Sequence, residues 1–217
     1  MAVTVEIMHD QASGTLPTEA VQLGIQLLAP LVGELMVVRD DRQIRVADPA
    51  LDIVRSDRIR WPRLPANFTL VLTDRQLCSA AGDELSRKAG VAAVGADVAI
   101  ITLDNAAGQA GVSMTTAHEM GHLYEVLDPW SSAEAGHCVD DSCLMFPISV
   151  RMIDVIRTDE TTRLKRMKSR LGLHQIESVR VPSRSKFCAS CEVDLIKQSR
   201  SLAPKHAQKL LKGFVKG

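Results

Sequence analysis

Long apolar runs are missing from this sequence. None reaches the roughly 18 residues that a membrane-crossing helix needs, so no transmembrane span is expected. The first ten residues, MAVTVEIMHD, have neither a basic region nor an extended apolar core, so no signal peptide is expected. A cytoplasmic location follows, with thiols reduced unless a metal holds them. Aromatic residues make up only 3% of the chain, and from residue 163 onward there are just Phe187 and Phe214. A surface that stacks nucleic-acid bases is therefore poorly supported. Internal repeats and low-complexity tracts are also absent.

Net charge is zero, but it is unevenly spread. Residues 1–162 carry 12 Lys and Arg against 23 Asp and Glu, and residues 163–217 carry 14 against 3, so the two parts stand at −11 and +11. The plain expectation is that the basic part packs on the acidic body. The sharper one is that it docks on nucleic acid or an acidic partner. With 217 residues and 46% hydrophobic content, the chain can bury a core as one domain, split at most into two lobes.

Alternation at Val3, Val5 and Ile7 predicts a first strand. Thr15 to about Leu31 reads as a helix with Pro17 near its start. ELMVVRD and IRVAD read as short strands or a hairpin, FTLVLTD as a strong strand, and Asp74–Lys88 as a short helix. ADVAIITL (96–103) reads as another strand. Val112 to about Leu127 reads as a helix that Pro129 stops, with Ser113, Thr115 or Thr116 as its N-cap. Residues 128–145 are expected as loop, 151–172 as a basic helix, VPSRSKFCASC as turn-rich, and a stretch around His206–Leu211 as an amphipathic helix. This order of elements is α+β.

Chemistry concentrates in AHEMGHLYEVLDPWSSAEAGHCVDDSCLM, residues 117–145. His118, Glu119 and His122 form H-E-x-x-H. On a helix, positions i and i+4 share a face about 6 Å apart, so both imidazoles can bind one zinc ion. Zinc lowers the pKa of its bound water to about 7, and Glu119 can take the proton as general base. The bland alternative is a helix with two surface histidines.

A catalytic zinc needs a third protein ligand. Asp128 and His137 are the candidates. Glu125 is a poor residue for a sharp left-handed helix end, so the helix is expected to continue to Pro129, which favours the later His137. Cys138 and Cys143 are spaced C-x4-C, and Cys188 and Cys191 are C-x2-C. Together they can make a closed tetrahedral thiolate site, structural rather than catalytic. Cys78 stands alone and is expected as a buried free thiol.

HEMGHLYEVLD resembles the metzincin metalloprotease motif H-E-x-x-H-x-x-G-x-x-H/D. With HCVDDSCLM after it and FCASC further on, the sequence resembles the archaemetzincins. Glu125 stands at that motif's glycine, nine residues are inserted before His137, and 42 residues separate Met145 from Cys188. The resemblance implies a mixed twisted sheet with an active-site helix and a smaller C-terminal lobe. The whole chain, 1–217, would be one catalytic domain, with an N-terminal lobe over about 1–127 and a C-terminal lobe over about 128–217.

It also implies two zinc ions. His118, His122 and His137 would hold the catalytic one, with Asp128 as the alternative third ligand. Cys138, Cys143, Cys188 and Cys191 would hold the structural one. Met145 would be the methionine of a tight turn beneath the catalytic zinc, although a core methionine is the simpler reading. The implied activity is hydrolysis of peptide bonds in a peptide or protein substrate, bound as an added strand along ADVAIITL. No cysteine-switch propeptide is expected. Tyr124, the sole tyrosine, is expected to pack in the core. The competing reading is a non-catalytic zinc module whose basic C-terminal region binds nucleic acid or an acidic protein.

Overall fold

The computed structural model describes residues 2–48, 50, 52–61, 66–81, 84–103, 108–126, 137–138, 140, 142–146 and 186–214. Its main sheet has five strands in the order β2-β1-β4-β8-β7. These are β1 (Val3–Asp10), β2 (Leu35–Ile44), β4 (Phe68–Thr73), β7 (Gly90–Ala93) and β8 (Val98–Thr102). Four of them run parallel, and β7 pairs antiparallel with β8 at one edge. A second sheet joins β3 (Ile53–Arg55), β5 (Gln76–Ala81) and β6 (Glu84–Lys88) in the order β3-β5-β6.

Strands covered on both faces need continuous apolar runs, and FTLVLT and VAIIT supply them. Alternation then divides each run between two cores. Phe68, Leu70, Leu72, Ala99 and Ile101 face the helices. Val71, Val98 and Ile100 face the other way, onto Val54 and Leu77 of the second sheet and onto Val46.

Helices α1 (Glu19–Gln26), α2 (Ala29–Val32), α3 (Gly108–Leu123) and α4 (Ala189–Phe214) complete the described fold. Residues 115–121 of α3 are buried without interruption, so this helix lies inside the molecule rather than on it. Gly24 sets how closely α1 approaches. A Cβ there would lie 2.5 Å from the Ser113 carbonyl oxygen and 2.6 Å from Thr116 Cβ. At the carboxyl ends of β1 and β4, Arg75 Nε donates to Asp10 Oδ2 at 2.7 Å and its Nη1 to the Asp48 carbonyl at 2.7 Å. This buried pair ties the chain after β2 to the sheet. Among the described residues, no helix is long and apolar enough to cross a membrane.

The α+β class and mixed sheet agree with the sequence, but several elements differ. Leu35–Ile44 is one strand, not a hairpin, and it pairs parallel with β1 across an irregularity between Ile7 and His9. Gln76–Ala81 and Glu84–Lys88 form antiparallel strands where a short helix was expected over Asp74–Lys88. The helix expected over Thr15–Leu31 is two shorter ones. The last helix is longer than expected and runs through Pro204. The basic stretch 151–172 lies outside the described residues.

Helix α3 starts at Gly108 and stops at Leu123, so Ser113, Thr115 and Thr116 lie inside it rather than capping it. Nor does it run on to Pro129. Glu125 itself takes the left-handed conformation, with φ 56°. Its N–H donates to the His122 carbonyl at 2.8 Å, and the Val126 N–H donates to the Gly121 carbonyl at 3.1 Å. This is the paired hydrogen-bond pattern of a glycine-type helix end, formed here around a glutamate.

Candidate metal centres

Three histidines converge at the end of α3. His118 and His122 lie one turn apart, and their Nε2 atoms approach to 3.1 Å. Two nitrogens on one tetrahedral zinc stand about 3.3 Å apart, given Zn–N bonds near 2.0–2.1 Å. His137 completes the triangle, with ring centroids 5.1 Å from His118 and 4.9 Å from His122. One nitrogen from each of the three rings falls within 4.8 Å of the others. Asp128, the alternative third ligand, lies outside the described residues.

The tautomer of His118 is set by the backbone. Its Nδ1 lies 2.7 Å from the Leu144 carbonyl oxygen. A carbonyl can only accept, so Nδ1 carries the proton and Nε2 keeps its lone pair for a metal. His122 is held down to about 4, first by burial and then by the charge of His137. It is therefore neutral at neutral pH, the form in which an imidazole can ligate a metal.

Glu119 is 6% exposed. Burial pushes its carboxyl up to about 8, against the pull of the Lys88 cation. A divalent ion beside the carboxyl would act in the opposite sense. A buried carboxylate beside convergent imidazoles costs folding free energy, and such groups cluster at functional sites. Its neighbour is Gly90, the first residue of β7, and a Cβ there would come within 2.6 Å of Glu119 Cγ.

The four cysteines form a second cluster, also with ligand atoms within 4.8 Å of one another. All four are free thiols, and Cys138 Sγ lies 3.6 Å from Cys188 Sγ. That is far beyond a disulfide bond and close to the roughly 3.8 Å between two sulfurs on one tetrahedral zinc. Backbone N–H groups point at the sulfurs. Asp140 donates to Cys138 at 3.4 Å, and Cys188 and Met145 donate to Cys143 at 3.2 and 3.4 Å.

Hydrogen bonds from Cys191 and from those N–H groups bring Cys143 down to about 5, although burial opposes them. Burial pushes Cys138 up to about 12, and the hydrogen bond and charge of Cys143, together with burial, raise Cys191. Four crowded sulfurs that resist joint ionisation are what a closed thiolate site looks like before a cation balances them. The donor set fits zinc.

Met145 lies directly under the histidine helix. A Cβ on Gly121 would fall on the Met145 sulfur and 3.3 Å from its Cε. Cys78 is a buried free thiol. Tyr124 is fully buried and meets Phe68 edge-on, with centroids 4.8 Å apart, so it packs in the core.

Three features escaped the sequence. ADVAIITL is not a sheet edge: β8 lies between β4 and β7, and the edge beside Glu119 is β7. Gly90 stands alone among ordinary strand residues, with no motif to mark it. The Leu144 carbonyl acts through its backbone and leaves no trace in residue identity.

No protein-family model matches the chain, and no curated protein matches it significantly. Solved structures do. An archaemetzincin from Methanopyrus kandleri superposes with a TM-score of 0.60 at 16% identity, over 92% of this chain and 96% of that one. A zinc-dependent peptidase from Methanocorpusculum labreanum gives 0.52 at 17% identity, over 88% and 99%. An archaemetzincin from Archaeoglobus fulgidus complexed with malonate gives 0.50 at 16% identity, also over 88% and 99%. At these identities the likeness speaks for the fold, and the fold of this chain is that of the archaemetzincin structures.

Proposed function

We propose that this chain is a zinc-dependent metallopeptidase with two zinc sites. The observation that carries the reading is the convergence of His118, His122 and His137 beside the buried carboxyl of Glu119, next to the sheet edge at β7. A purely structural metal has no need of Glu119. The three solved structures support the same reading, being two archaemetzincins and a zinc-dependent peptidase.

His118, His122 and His137 would hold the catalytic ion, and Cys138, Cys143, Cys188 and Cys191 a structural one. Bound at the histidines, zinc supplies a Lewis acid that polarises the substrate carbonyl and acidifies a water. Glu119 would accept a proton from the attacking water and pass it to the departing amine. The Leu144 carbonyl keeps His118 in the ligand tautomer. Among the described residues β7 is the strand at the sheet edge, and its main-chain donors and acceptors would bind an extended peptide as an added strand.

The test is Glu119→Ala, assayed against a peptide panel together with its zinc content. Loss of hydrolysis with zinc and fold retained supports the reading. Hydrolysis that survives at the wild-type rate removes Glu119 from the mechanism. A chain that hydrolyses nothing but binds nucleic acid or an acidic protein equally well in both forms is a zinc-stabilised binding module instead.

A further inference from the structure

We infer that Gly90 is a positioning residue for Glu119: the missing side chain on the first residue of β7 is what allows the catalytic carboxylate to lie against the sheet edge. The inference rests on the peptidase reading above and goes on to say what fixes its general base.

Glu119 occupies the space where a Gly90 side chain would start. A Cβ on Gly90 would meet Glu119 Cγ at 2.6 Å, Oε1 at 2.7 Å and Cδ at 2.9 Å, and its three nearest neighbours are all atoms of that one side chain. The backbone itself makes no demand for glycine. Unlike Gly14 and Gly33, Gly90 is not in the left-handed region. Its strand is regular, with Gly90 opposite Ile101 and Val91 opposite Ile100. The preceding Ala89 carbonyl accepts from the Thr102 N–H at 2.9 Å, which pins this end of β7 to β8. Any residue could adopt this conformation, and most strand residues would do so more favourably than glycine.

The strand backbone thus forms one wall of the carboxylate's slot. A methyl group at position 90 needs about 3.4 Å or more from its neighbours, so Glu119 would have to move by several tenths of an ångström. The rest of the slot leaves it little room, because the carboxyl is 6% exposed. A shift of that size at a proton-transferring group costs roughly ten- to a hundredfold in rate. The same geometry places the general base beside the strand that a peptide would join, so substrate pairing and base orientation share one piece of backbone.

The experiment is Gly90→Ala made in the wild type and in Glu119→Ala, with three readouts on zinc-loaded protein. Zinc content is expected to stay at the wild-type level. Gly90→Ala is expected to lower Tm by a few degrees where Glu119 is present and to leave it unchanged or raise it where Glu119 is absent. For the peptide that the wild type cleaves, kcat is expected to fall about ten- to a hundredfold with KM little changed. Equal Tm shifts in the two backgrounds, or an unchanged kcat, would overturn the inference. A wild type that cleaves no peptide would overturn the peptidase reading and the positioning role of Gly90 with it, while the melting pair still scores the contact itself.

Discussion

The imidazole of His118 and the backbone of Leu144 join the histidine cluster to the cysteine cluster: His118 Nδ1 donates to the Leu144 carbonyl at 2.7 Å, while the Leu144 N–H donates to the Lys186 carbonyl at 3.0 Å. Lys186 is two residues before Cys188, and Leu144 follows Cys143. Leu144 therefore links His118, through its carbonyl, to the backbone just before Cys188, through its N–H. On the other side, the Cys138 N–H donates to the Met145 carbonyl at 2.9 Å, next to His137.

Loosening the thiolate cluster should therefore weaken the histidine site. Groups that orient a metal's ligands are worth about 10- to 100-fold in affinity. For Cys188→Ser, the zinc bound by the histidines should yield to a competing chelator at a concentration lower by about that factor. Equal resistance in the variant and the wild type would mean that the two centres are independent.

Gly121→Ala should destabilise the protein, against the usual trend. At an exposed helix position, Gly to Ala gains about 1 kcal/mol. Here the new methyl group falls on the Met145 sulfur, in a helix segment that is buried without interruption. Overpacking of this kind costs about 1–3 kcal/mol. Urea unfolding should show a lower midpoint. A higher one would place Met145 elsewhere.

Glu125→Gly should stabilise. A non-glycine residue at φ 56° carries a steric cost that glycine avoids, partly offset by glycine's greater freedom in the unfolded chain. The net expectation is about 0.5–1 kcal/mol, readable as a rise in Tm, with zinc content unchanged. A fall in Tm would contradict the helix end described above.

Acid should destabilise the metal-free protein through His122. Its pKa lies near 4 in the folded chain and near 6.5 when unperturbed. The unfolded chain takes up the proton first, so this contribution to stability is fully present above about pH 6.5. It is lost progressively as the pH falls towards 4. The stability difference between pH 7 and pH 5, from urea unfolding of chelator-treated protein, should be smaller in His122→Gln than in the wild type. An equal difference would mean that His122 takes its proton as readily folded as unfolded.

Much of the site was legible because its chemistry depends on side-chain identity and short spacing. H-E-x-x-H on one helix face, C-x4-C and C-x2-C carry their ligands in the sequence, and the structure brings all seven candidate donors among the described residues into two clusters. Helix ends and strand order were harder to read. Glu125 is a poor residue for a left-handed helix end, yet it takes that conformation between buried Tyr124 and Val126. ADVAIITL has the apolar run of an interior strand, and it is one. Its apparent place at the edge was an argument from motif order that strand pairing overrides. The last helix reaches well ahead of the His206–Leu211 stretch, starting at Ala189 and running through Pro204.

The most direct measurement is zinc per chain on purified wild type and His118→Ala. The account predicts about two in the wild type and about one in the variant, with the fold retained in both. One zinc in each would contradict it, because the histidine site would then hold no metal and the case for a peptidase would lose its centre.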